Sequence, residues 1–129
     1  MGPHGAFFTC LGLTVVFLLS AAWTGHHHKL RAHIASVLLA VVGLGLAIYY
    51  ALELGKIVDL DAAGWITPVH LGLARVTTLF FVVPIVLGLL TLRRMTWRKL
   101  HGRMGLIAIA ATVLTTITGA VMLYLSDPR

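Results

Sequence analysis

Charged residues are scarce in this chain of 129 residues, because only 11% of them are Asp, Glu, Lys or Arg. Hydrophobic residues make up 59% of the chain, and its mean hydropathy is +0.96. A water-soluble domain of this size cannot hide so much apolar surface from the solvent. The composition therefore excludes a soluble protein and predicts an integral membrane protein.

Acidic residues and catalytic motifs are the scarcest features of all. The chain has four acids, Glu53, Asp59, Asp61 and Asp127, and none lies within a long apolar run. A proton-coupled transporter is expected to hold an intramembrane Asp or Glu, so that class is disfavoured. The sequence also lacks a Ser/His/Asp set, a phosphate loop and an HExxH zinc motif. The single cysteine, Cys10, lies in an apolar run, where a thiol behaves as a small hydrophobe.

Four apolar runs are long enough to cross a bilayer, which takes roughly 20 mostly apolar residues per helix. They predict transmembrane helices at about residues 5–23, 32–52, 69–92 and 101–125. No residues remain for a separate soluble domain, so we expect a single all-α domain over residues 1–129, a four-transmembrane-helix bundle. We expect the first span to stay as a helix, because nothing basic precedes it as in a signal peptide.

Basic residues are concentrated in the loops that follow the first and third spans. Seven of the ten lie there: Lys29, Arg31, Arg93, Arg94, Arg98, Lys99 and Arg103. Lys and Arg in short loops stay on the cytoplasmic side. We therefore expect a multi-pass protein of a bacterial-type inner membrane with cytoplasmic basic loops and both termini outside. The net charge of +6 then reflects topology, so the expected partner is the lipid bilayer and not a nucleic acid.

The two halves of the chain resemble each other. The segment HKLRAHIASVLLAVVGLGLAIYY parallels RKLHGRMGLIAIAATVLTTITGAVMLY, and PHGAFF parallels PVHLGLARV. In each half, a histidine near a proline opens one helix, and a histidine after a Lys-Leu pair opens the returning helix. The pattern predicts two duplicated helical hairpins of the same orientation.

One histidine lies at or near the start of each predicted span: His4, His33, His70 and His101. A helix N-terminus disfavours imidazolium, so each ring is expected to be neutral, the form that binds metal. Paired imidazoles on facing helices bind the iron of haem b. This interpretation assigns His33 with His101 to an inner haem and His4 with His70 to an outer one. Arg75 would pair with a haem propionate, although it can equally snorkel to the membrane surface.

Small residues share a helix face with three of these histidines. The spacing of three and four residues gives Gly105, Ala108, Thr112, Thr115, Gly119 and Met122 from His101; Ser36, Ala40, Gly43 and Ala47 from His33; and Ala74, Thr77, Phe81, Pro84 and Gly88 from His70. Such faces leave room for a flat macrocycle. They also let membrane helices pack closely, with an interfacial histidine bonded to a neighbouring helix. Two hypotheses stay open: a haem-binding electron carrier, and a cofactor-free assembly factor or accessory subunit.

Several motifs between residues 29 and 125 resemble the CtaM/YozB-like family of four-helix membrane proteins, which are encoded beside haem-copper oxidase genes. They are KLRAHIAS, HLGLA, PIVLGLLTLRR, RKLHGRMG and TTITGAVMLYL. The resemblance implies a role in maturation or support of a respiratory oxidase, with His33, His70 and His101 at the motif positions. The chain departs from the family where it has His101-Gly102-Arg103, and His4 has no family counterpart. The histidine layout also resembles that of the ascorbate-reducible diheme b-type cytochromes, which are longer, six-helix proteins.

Overall fold

The computed structural model describes residues 2–128, and nearly all of them are helical. Five α-helices follow one another: α1 (Pro3–His26), α2 (Leu30–Ile57), α3 (Ile66–Phe80), α4 (Val82–Arg93) and α5 (Arg98–Leu125). Two 3-10 turns lie at Leu60–Ala63 and Met95–Trp97. The two-residue strands β1 (Val58–Asp59) and β2 (Asp127–Pro128) pair antiparallel, with Asp59 opposite Asp127.

Four helical segments are long and apolar enough to cross a membrane: Pro3–His26, Leu30–Ile57, Ile66–Arg93 and Met95–Leu125. Large apolar side chains such as Leu38 and Leu79, 61% and 73% exposed, give these helices outer faces suited to lipid. The predicted all-α class with four transmembrane helices is confirmed, and the chain is a multi-pass membrane protein. Each helix begins before the predicted apolar run, because backbone hydrogen bonds continue into residues whose side chains are polar.

The third span is a helix with one interruption at Phe81. α3 ends at Phe80 and α4 begins at Val82, while Phe81 keeps right-handed helical angles, φ −56° and ψ −27°. Pro84 has no N–H to donate, and its ring crowds the carbonyl of Phe80 four residues earlier. The interruption is therefore a local effect of the proline, and α3 and α4 together form one span.

The first of two compact units is built on the hairpin of α1 and α2 and includes β1 and β2. Gly43 of α2 lies against Thr14 of α1, which is fully buried and donates its hydroxyl to the Cys10 carbonyl at 2.8 Å. The Ser20 and Ser36 hydroxyls, 3.0 Å apart, join the same two helices. The face predicted from His33 is the buried face of α2: Ser36, Ala40, Gly43 and Ala47.

The second unit covers residues 65–122 and contains α3, α4 and α5 as far as Met122. The Thr77 and Thr115 hydroxyls, 3.0 Å apart, join α3 to α5. Thr112 is buried and donates its hydroxyl to the Ala108 carbonyl at 2.8 Å. Of the face predicted from His101, four residues are buried: Ala108, Thr112, Gly119 and Met122. Within residues 2–128, no buried side-chain nitrogen or oxygen lacks a hydrogen-bond partner, as a low-dielectric surrounding requires.

The two hairpins bury equivalent positions of their first helices. One constant sequence interval relates three pairs of buried residues: Thr14 and Thr77, Leu18 and Phe81, Thr24 and Leu87. The helical period alone spaces buried residues in this way on any two helices that bury one face, so the duplication of one hairpin stays a prediction.

We expect Gly43→Ala to lower the free energy of unfolding by about 1–3 kcal/mol, the range for overpacking a close contact. An added Cβ would lie 2.6 Å from the Thr14 Oγ1 atom, which is held by its bond to the Cys10 carbonyl. Reversible unfolding in sodium dodecyl sulfate, followed by circular dichroism, measures the change. Gly45→Ala is the matched control, since Gly45 is exposed in the same helix with nothing within 4 Å of an added Cβ. Equal losses in both variants would contradict this packing.

Candidate functional site

His33 lies in the first turn of α2, half-buried against α1. Its Nδ1 atom lies 2.8 Å from the Ala21 carbonyl oxygen of α1. The ring rests on Gly25, where an added Cβ would come within 3.0 Å of Nδ1. One hydrogen bond and one glycine contact thus join His33 to the preceding helix.

His101 repeats this arrangement in the second unit. It lies in the first turn of α5, half-buried, with Nδ1 2.9 Å from the Pro84 carbonyl oxygen of α4. Its ring rests on Gly88, where an added Cβ would come within 3.1 Å of Cε1. The sequence interval that relates the buried residues of the two hairpins also separates Ala21 from Pro84 and Gly25 from Gly88.

The glycine follows the accepting carbonyl by one helical turn in both hairpins, and helix geometry explains why. A helical carbonyl points toward the C-terminus, while each Cα–Cβ bond tilts back toward the N-terminus. A side chain four residues later therefore covers the carbonyl and blocks an approaching ring. Gly25 and Gly88 leave the Ala21 and Pro84 carbonyls open to an imidazole.

His70 makes a related contact in the opposite direction, from α3 onto α5. Its Nδ1 atom lies 3.0 Å from the Thr118 hydroxyl and not from a helix carbonyl. An added Cβ on Gly119, the residue after Thr118, would lie 2.8 Å from the His70 Cε1 atom. Three of the four predicted histidines thus rest on glycines of a neighbouring helix.

These partners determine which ring nitrogen carries the proton. A carbonyl oxygen can only accept, so the bonds to Ala21 and Pro84 require Nδ1–H on His33 and His101. The Thr118 hydroxyl donates to the Thr115 carbonyl at 3.0 Å and therefore accepts from His70. In each neutral ring the lone pair then lies on Nε2. A metal-binding histidine typically shows this pattern, with its second nitrogen donating to a backbone carbonyl.

His4 and Arg75 differ from the other predicted site residues. His4 is exposed in the first turn of α1 and has no hydrogen bond or ring contact with any described residue. Arg75 is exposed on α3, nine residues after the start of the third span, with no partner among residues 2–128. The sequence holds no acid between Asp61 and Asp127. The charge of Arg75 therefore needs stabilisation in the membrane, either by a partner from outside the chain or by snorkelling to the surface.

The predicted pairs, His33 with His101 and His4 with His70, each take one residue from each hairpin, and both pairings stay predictions. Within residues 2–128, no three His, Cys, Asp or Glu side chains converge on a common point. A haem iron takes four nitrogens from its porphyrin and needs only two protein ligands. The bis-histidine interpretation is therefore compatible with the described donor set.

Sequence reasoning missed the glycine that supports His33. Gly25 lies at the polar end of α1, beyond the predicted span, where hydropathy gives no reason to single it out. A sequence signal for this contact does exist. It is a glycine near the C-terminal end of one helix, followed by a histidine in the first turn of the next helix.

Comparison of the chain with protein-family models, curated proteins and solved structures gives no match. The fold and the three histidine contacts define it as a multi-pass membrane protein with imidazoles held at the ends of its helical hairpins.

We expect ¹⁵N spectra of histidine-labelled, haem-free protein to show His33 and His101 protonated at Nδ1 and unprotonated at Nε2. Gly88→Ala should shift the His101 signals, because an added Cβ would push its ring off the Pro84 carbonyl, and it should leave His33 unchanged. Gly72→Ala is the matched control, an exposed glycine in the same span with open space at its Cβ. An Nε2–H tautomer in the wild-type protein would contradict the assignment.

Proposed function

We propose that this chain is an integral-membrane protein that binds b-type haem through paired histidines and serves transmembrane or respiratory electron transfer. The observation that carries the proposal is the hydrogen bonding of the Nδ1 atom in three histidine rings. His33, His70 and His101 each have Nδ1 2.8–3.0 Å from an oxygen atom, an arrangement that favours Nδ1–H, and in a neutral ring of that tautomer the lone pair lies on Nε2. A neutral imidazole of this tautomer is the axial ligand that haem iron requires.

His33 with His101 would hold one haem near the basic loops, and His4 with His70 a second haem near the opposite surface. A bis-histidine haem supplies a one-electron carrier whose potential depends on burial and on the hydrogen bonds of its ligands. The chain's own contribution is orientation, because the carbonyl and the glycine together fix the plane and rotation of each ring. His4 lacks such support in the described part of the chain, so the pair near the basic loops is the better supported of the two.

Arg75 fits the proposal as a charge partner. A guanidinium inside an apolar span is unfavourable without an anion or an escape to the surface. A haem propionate would supply a carboxylate that residues 62–126 of the chain do not contain.

A second function has its own support. The same three histidine bonds join the helices of each hairpin, and such a contact needs no cofactor. The CtaM/YozB-like resemblance implies support of a haem-copper oxidase, so the alternative is a cofactor-free assembly factor or accessory subunit of an oxidase or other membrane redox complex. In that role the histidines stabilise the fold, and the glycines serve close helix packing.

Absorption spectra distinguish the two functions. We expect the protein, expressed with ample haem and purified in mild detergent, to show sharp reduced bands and up to two haems per chain by pyridine haemochrome. His33→Ala and His101→Ala should each remove one haem, and Gly25→Ala and Gly88→Ala should lower haem affinity roughly 10–100-fold through their effect on the ring.

The matched control is His27→Ala, which removes an exposed histidine between α1 and α2 and should leave the haem content unchanged. A colourless wild-type protein would refute the carrier. If His33→Ala and His101→Ala then lowered only its stability, the packing and assembly function would be supported.

The proposal includes an orientation in a bacterial-type inner membrane, with both termini outside and the basic loops cytoplasmic. Its support is the separation of charge, because basic residues cluster after the first and third spans and all four acids lie toward the other ends. We expect alkaline phosphatase fused after Arg129 to be active and a fluorescent protein fused there to be dark. The reverse pattern would overturn the orientation.

A further inference from the structure

A cavity of about 340 Å³ lies where α4 ends, lined by Leu90, Arg93, Arg94 and Trp97. α4 stops at Arg93, Arg94 has extended backbone angles, and the 3-10 turn Met95–Trp97 folds the chain back. The Arg94 N–H donates to the Leu90 carbonyl at 2.9 Å, and the Trp97 N–H donates to the Arg94 carbonyl at 3.3 Å. The four lining residues are therefore held together by the local backbone.

The two arginines of this cavity have no counter-charge in the described part of the chain. Neither side chain makes an ion pair or hydrogen bond there. No Asp or Glu occurs between Asp61 and Asp127, while Arg98, Lys99 and Arg103 add further positive charge at the start of α5. Two guanidinium groups beside a cavity without a carboxylate favour an anion from outside, and phosphate oxygens match their fork of donors.

The apolar half of the lining indicates that this anion has a hydrocarbon part. Leu90 is half-buried, and Trp97 belongs to a residue type that prefers the membrane interface. Leu89 and Leu92, next in sequence to lining residues, are 60% and 57% exposed, so the end of α4 also presents apolar surface.

We propose that this cavity binds the phosphate of an anionic phospholipid in the leaflet next to the basic loop, with Arg93 and Arg94 on the phosphate and Leu90 beside an acyl chain. A zwitterionic lipid carries the same phosphate but adds a cation, which the second arginine repels. The site is therefore selective for lipids with net negative charge. This inference is independent of haem binding.

Quenching of Trp97 by lipids with brominated acyl chains tests the site in the full-length protein. A Trp23→Phe, Trp65→Phe background leaves Trp97 as the only tryptophan. Vesicles of phosphatidylcholine receive increasing fractions of brominated phosphatidylglycerol, and a parallel series receives brominated phosphatidylcholine. We expect half-maximal quenching at a far smaller fraction of the anionic lipid. Equal curves for the two lipids would overturn the proposal.

Charge variants locate the site. Arg93→Gln with Arg94→Gln should reduce the preference for phosphatidylglycerol about 30-fold, because the charge-assisted contacts of both arginines with the bound lipid are lost. Arg93→Lys with Arg94→Lys should keep part of it, because lysine retains the charge but not the fork of donors. Lys99→Gln with Arg103→Gln removes the same charge from the start of α5 without touching the lining, and should keep it too. Equal losses from the two glutamine pairs would mean a diffuse surface potential and no site.

A final experiment distinguishes a lipid from a soluble anion as the ligand of the cavity. Inorganic phosphate, compared with sodium chloride at the same ionic strength, should neither change the Trp97 emission in detergent nor displace brominated phosphatidylglycerol. Displacement by inorganic phosphate alone would overturn the lipid assignment in favour of a soluble anion site. Should the glutamine variants not fold, the comparison of the two lipids on the wild-type cavity still decides the question.

Discussion

The hydrogen bond from an imidazole Nδ1–H to a helix carbonyl, made possible by a glycine, is the interaction on which both hairpins depend. Backbone carbonyls inside a helix are already bonded, but each has a second lone pair that a donor can reach if no side chain covers it. Gly25 and Gly88 provide that access for His33 and His101, while Gly119 lets the His70 ring lie close to α5, where its Nδ1 atom bonds the Thr118 hydroxyl. In a surrounding that offers little water, such a bond joins two helices and determines the tautomer of the ring at once. The same contact therefore stabilises the hairpin and determines which ring nitrogen can act as a ligand.

The rest of the helix packing follows from the same need to bury polar groups with partners. The hydroxyls of Thr14, Thr24, Thr112 and Thr116 return to carbonyls of their own helices, so these small residues fill the interfaces without unsatisfied atoms. Serine and threonine pairs then join neighbouring helices, as between Ser20 and Ser36. Each hairpin is held together by the close approach of its helices, and not by large side chains of matching shape. A short apolar chain of this composition thereby obtains a defined structure with few large buried residues.

The sequence was sufficient to predict the four spans and the small faces of α2 and α5, because hydropathy and the helical period are local properties. It was not sufficient to predict the role of Gly25, since that role depends on the register between two helices and on where the turn at His28, with φ 57°, reverses the chain. The break at Phe81 follows from Pro84 and was predictable in principle. The environment of Arg75 could not be predicted, because the apolar run around it does not indicate a partner for its charge. His4 illustrates the same limit: its place in the pattern resembles that of the other histidines, but it lacks their contacts.

If the proposal is correct, the bound haem iron has two imidazole ligands, each through Nε2. The most direct test is an electron paramagnetic resonance spectrum of the air-oxidised full-length protein, expressed with ample haem. The account predicts a low-spin ferric signal typical of two imidazole ligands, which disappears on reduction with dithionite and weakens in His33→Ala and His101→Ala. A protein that carries no ferric haem signal, or only a high-spin one that both variants retain, would contradict it.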